Sequence, residues 1–115
     1  MPFNDIEQKK YDNLMKDFIK NNRPPENIRD QVDLSYRIKN YSIEIFEIRP
    51  LWNNQDKKIE IPVAKTTYVE KNKIWKIFWQ RSDLKWHRYD PDPEVDTLDD
   101  FIKIVEEDEY CCFWG

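Results

Sequence analysis

Apolar positions recur at helical spacing near the N-terminus and at strand spacing after it. Ile6, Leu14, Met15, Phe18 and Ile19 fall on one side of a 3.6-residue repeat, with Tyr11 on the same broad face. "NDIE" ahead of them pairs an N-cap residue, Asn4, with Glu7 three positions on, the signature of a capping box. The helix should end near Asn21–Asn22, because Arg23 precedes Pro24–Pro25 and a residue before proline leaves the α region. "PPENIRDQVD" predicts a second, short helix starting at Pro25, with Ile28 and Val32 on its buried stripe.

The period then drops to two. Five strands are predicted: 34–38, 41–50, 59–70, 73–81 and 85–90. In the second, Ile43 and Ile45 share one phase, and Phe46 and Ile48 take the other. That flip predicts a bulge or a strand covered on both faces. Pro62 marks the N-terminal part of the third strand as an edge. The fourth, "KIWKIFWQR", is apolar on both faces. The polar connections "NNQDKK", "EKNK" and "RSDL" suit antiparallel hairpins. Thr97, with Asp100 three residues on, predicts a last helix whose stripe is Leu98, Phe101, Ile102 and Val105. The closing "EYCCFWG" is too apolar to stay in water and should dock. The expected fold is α+β: an N-terminal helix, a curved antiparallel sheet of about five strands, then a C-terminal helix packed on it. Residues 1–115 are read as one domain.

Composition sharpens this picture by exclusion. The chain has one glycine, Gly115. Phosphate-cradling loops and the nucleophile elbow need glycine for close backbone approach, so that chemistry is not expected. The two cysteines, Cys111 and Cys112, are adjacent and form no disulfide framework; they read as small hydrophobes of the docked tail. No apolar leader or span stands out, so the expectation is a soluble, cytoplasmic protein that does not enter membranes. Formal net charge is −4, but unevenly placed. Residues 57–90 carry nine Lys and Arg against four acids, and residues 91–115 carry one Lys against nine acids. Either the basic strands form an open binding surface, or the acidic segment lies over them.

"FEIRP" (46–50), "VAK" (63–65), an isolated Trp75, "FWQRSDLKWHRYDPDP" (78–93) and a terminal "CFWG" (112–115) occur in that order. From about Arg23 onward the chain resembles a small bacterial family, domain of unknown function number three thousand and twenty-four. The resemblance implies no activity and no catalytic residues.

His87, the only histidine, would need Glu47 or Asp90 from other positions to act as a base. A zinc site of His87 with Cys111 and Cys112 would strain two adjacent ligands. Glu47 and Arg49 share a strand face, with Lys65 on the neighbouring strand, a grouping akin to metal-dependent nuclease sites. It lacks the usual acid–x–lysine triplet, and cross-strand ion pairing explains it as well. The stronger signal is the interleaving of aromatic and basic residues on two strands joined by "RSDL". Such a sheet fits single-stranded nucleic acid, a protein partner or a second copy of the chain, and it fits a plain core. The reading is a non-enzymatic binding module without a cofactor, using Arg49, Lys65, Arg81, Trp86, His87, Arg88 and Tyr89. The alternative is a small metal-dependent hydrolase or nuclease centred on Glu47, Lys65 and His87.

Overall fold

Asn4 opens the first helix with both halves of its capping box in place. The Glu7 N–H donates to Asn4 Oδ1 at 2.8 Å, and the Glu7 carboxylate accepts from the Asn4 N–H at 3.2 Å. Helix α1 runs Asp5–Asn22 and stops at Arg23, whose extended backbone is the one a following proline requires. The Arg23 guanidinium forks onto Asp33 at 2.7 and 2.8 Å, tying the helix exit to the first strand. That hydrogen bonding holds the Asp33 carboxyl below its ordinary range. The second helix shrinks to one 3₁₀ turn, Glu26–Ile28, with no side chain capping its start. The computed structural model describes residues 3–51 and 53–114.

Among the described residues six strands follow: β1 Asp33–Lys39, β2 Ser42–Leu51, β3 Asn54–Val69, β4 Ile74–Gln80, β5 Trp86–Arg88 and β6 Glu94–Val95. The first five form an antiparallel meander in sequence order. The sixth, which two residues cannot announce by periodicity, pairs with β4 beyond the end of β5, matching Val95 to Trp75. The meander turns without glycine, at Asn40 (φ 55°), Lys73 (φ 53°) and Leu84 (φ 62°). Asn tolerates the left-handed region; lysine and leucine at their turns bear the steric cost themselves.

One expected connection differs. "NNQDKK" is mostly strand: β3 already begins at Asn54, so the connection is very short. Its polarity misleads because only Asn54 and Lys58 of it pair with β2, and Asp56, Lys57 and Lys58 stay exposed. The phase flip in β2 is a bulge, and the extra residue sits on the partner strand. Ile45 faces Ala64 and Phe46 faces Pro62, leaving Val63 unpaired between them. Residues 64–69 of β3 also pair with β4, whereas 58–62 pair with β2 alone, as Pro62 suggested.

The core occupies one face of the sheet. Ile43, Ile45, Ala64, Trp75 and Ile77 point into it from the strands, and Met15 and Phe18 from α1. Helix α2, Leu98–Glu107, adds Leu98, Phe101 and Val105. Thr97 caps it, accepting the Asp100 N–H. After α2 the chain turns at Asp108 (φ 41°), whose carboxylate accepts the Phe113 and Trp114 N–H groups at 3.0 Å each. The Trp114 indole N–H reaches the Val105 carbonyl at 2.8 Å, and the Phe113 ring packs 4.9 Å from Tyr89. The tail is therefore docked through Phe113 and Cys112, whereas Tyr110 and Cys111 stay exposed, so Cys111 is not the docked hydrophobe its sequence position suggests. Among the described residues, no helix is long and apolar enough to cross a membrane.

Candidate binding face

Strand alternation and register sort the predicted site residues onto two faces of the sheet. The helix-bearing face carries Ile45, Glu47 and Arg49 of β2, and Trp79 of β4 with His87 opposite it. Tyr89 also points there and is a core residue, 2% exposed. The Arg81 guanidinium lies 5.5 Å over Trp79, which packs against the core. The opposite face carries Lys65, Trp86 and Arg88.

This division parts Lys65 from the other two residues of the hydrolase reading, Glu47 and His87. Glu47 pairs with Arg49 at 3.3 Å on its own strand, and across the sheet it faces Ile61. Lys65 faces Glu44 and points to the other side. The bulge at Val63 sets this register, and residue spacing does not reveal it. His87 Nε2 bonds to Asp83 Oδ2 at 2.8 Å inside its own hairpin. Asp83 also accepts the Lys85 N–H, and these two bonds lower its pKa, the backbone one more. The pair closes a turn. Among the described residues, no three His, Cys, Asp or Glu side chains gather as a group that could hold a metal ion.

The face opposite the helices is the more informative one. Lys65, Phe78 and Arg88 lie in one cross-strand row with Arg37 and Glu44: Arg37–Glu44–Lys65–Phe78–Arg88, one residue from each of β1 to β5. The Lys65 ammonium sits 5.8 Å from the Phe78 ring and 5.6 Å from the Trp86 ring. Arg37 lies 4.5 Å over Phe46 while its guanidinium is paired with Glu60 at 2.6 Å. Phe46, Phe78 and Trp86 take no part in the core cluster and are not packed against it. Phe46 is nevertheless 7% exposed, roofed by Arg37. Beside the row is an open hollow of about 260 Å³ lined by Arg37, Lys39, Asn40, Ser42, Glu44 and Lys65. The acidic helix α2 packs on the other face, so it does not cover these cations.

The sequence does not mark Arg37, Lys39 and Phe78 as site residues. Their signal was present in the phase flip to Phe46 and in the apolar second face of β4. What was missing was which face the helices take.

The burial of Tyr89 has a pH consequence. Its phenol is pushed up to about 12, first by burial and then by nearby negative groups, Asp108 among them. Tyr36 is likewise pushed up to about 12 by burial and by donating to Asp12 at 2.9 Å. Both folded-state values lie above the ordinary phenol value of 10.0. Their contribution to stability is therefore complete below pH 10 and is lost as pH rises toward 12. Urea midpoints measured from pH 9 to 12 should fall, and the Tyr36→Phe/Tyr89→Phe double variant should show a shallower fall.

The family model described as Domain of unknown function (DUF3024) matches residues 3–115, so the likeness extends back into α1. No curated protein and no solved structure matches the chain.

Proposed function

The chain belongs to the DUF3024 family, and from the geometry of its helix-free sheet face we propose a binding module for single-stranded nucleic acid. One observation carries the reading: Phe78 and Trp86, aromatic and outside the core, stand under Lys65 in a row that also holds Arg37 and Arg88. Strands lie about 4.8 Å apart, so the five-strand row spans about 19 Å and places a cation roughly every 10 Å. Sheets that hold single strands use aromatic rings to stack splayed bases and cations to meet phosphates. A duplex keeps its bases stacked internally and gains nothing from the rings. Glu44 and Glu60 temper the positive field, which suits a few phosphate contacts better than a long charged groove. The site residues in this reading are Lys65, Trp86 and Arg88, joined by Arg37, Lys39 and Phe78. Arg49, Arg81, His87 and Tyr89 serve the other face.

The test is fluorescence anisotropy of labelled single-stranded RNA and DNA, with a duplex control, over a salt series. About three phosphate contacts predict a slope of log K on log salt near −2 for a single strand. Equal binding of duplex and single strand, or no binding at low salt, contradicts the reading.

A further inference from the structure

We infer that the free edge of β3 is a self-association edge through which two copies of this chain pair about a two-fold axis. Residues 58–62 pair with β2 on one side, and Asn54 pairs with it again beyond a three-residue irregularity. Among the described residues, no backbone hydrogen bond beyond that ladder reaches them. An edge of this length offers a row of outward N–H and C=O groups to another strand. Its side chains are exposed from Asp56 to Ile61, and two of them are large and apolar: Ile59 at 40% and Ile61 at 37%.

The sequence along that edge, "DKKIEIP" (56–62), selects both the occupant and the register. Antiparallel pairing of two identical strands places the two-fold axis perpendicular to the sheet, and each residue faces a partner on the same side of it. With the axis at Ile59, Lys58 faces Glu60 of the second copy and Glu60 faces its Lys58. Ile59 meets Ile59, and Ile61 falls opposite Lys57, where the β2–β3 ladder breaks off. Moving the axis to Lys58 or to Glu60 sets like charges against each other, which destabilises a sheet pair. The Ile59 register alone among these three is complementary, and it buries the exposed isoleucines. Pro62, which has no N–H, then falls opposite Asp56 and limits the pairing to about five residues. The lysines would ordinarily blunt such an edge against unrelated strands. Here they discriminate: Lys58, whose ammonium donates to the Asp30 carbonyl in its own chain, gains a carboxylate from Glu60 of the second copy, which shares that carboxylate with its own Arg37. A short strand pair makes a small interface, so the dimer is a weak one. It would set both helix-free faces on the same side of one continuous sheet.

Charge exchange tests the register directly. Sedimentation velocity from about 20 µM to about 1 mM should show concentration-dependent dimerisation of the native chain. Lys58→Glu and Glu60→Lys should each remain monomeric, since each brings like charges together twice. An equimolar mixture of the two should form a heterodimer, because each charge again meets its opposite. Ile59→Asp, which sets two carboxylates on the axis, should be monomeric and unchanged in its thermal transition. A native chain that stays monomeric to about 1 mM overturns the inference. So does dimerisation that survives either single charge change, or a mixture that fails to associate while the native chain does.

Discussion

Trp75→Ala should be the most damaging single substitution in the chain, costing about 3–5 kcal/mol of folding stability. Trp75 is 2% exposed and stands at the centre of an aromatic group. Its ring lies 5.7 Å from Phe3, 5.1 Å from Tyr11 and 5.0 Å from Tyr68. The substitution leaves a cavity between α1 and β4, and the edge-on packing with Tyr11 adds about 0.5–1.5 kcal/mol beyond area. A domain's total stability is only about 5–15 kcal/mol, so much of the variant population should be unfolded at 37 °C. Urea denaturation followed by circular dichroism measures this; a midpoint close to that of the native chain would show that the ring is not a core element.

Trp86→Ala should do the reverse. Trp86 is half-buried, outside the core cluster, and in contact with the Lys65 ammonium. Its removal should cost about 1 kcal/mol of stability or less. If a base stacks on it, the loss is about 1–3 kcal/mol of binding, a weakening of about 5- to 150-fold for single-stranded oligonucleotides at low salt. Anisotropy titrations of the variant beside the native chain give that ratio. An unchanged affinity would remove the indole from the ligand surface.

The contrast between these tryptophans marks what a sequence can and cannot convey. Alternation places Trp75 and Trp79 on one side of β4 and Phe78 on the other, and it separates Trp86 and Arg88 from His87 and Tyr89. Those divisions hold in the structure. Helix caps were also legible, because Asn4 with Glu7 and Thr97 with Asp100 act over a single turn. So was the edge at Pro62, a consequence of a missing N–H. Long-range facts were not legible. Which face the helices choose depends on the summed packing of α1 and α2, and strand alternation is symmetric with respect to that choice. The Glu47–Lys65 grouping failed because one unpaired residue, Val63, resets the β2–β3 register and sends Lys65 opposite Glu44. The polar start of β3 looked like a loop because a strand exposed on both sides needs no apolar phase.

In the proposed function the helix-free face receives the ligand. Backbone amide shifts of the labelled protein, recorded while a short single-stranded oligonucleotide is added, test it residue by residue. The account predicts the largest movements at Lys65, Phe78, Trp86 and Arg88, extending to Arg37 and Lys39, with α1 and α2 still. Movements centred on the helices or on the Asp83–His87 turn, or a spectrum that does not change, would contradict it.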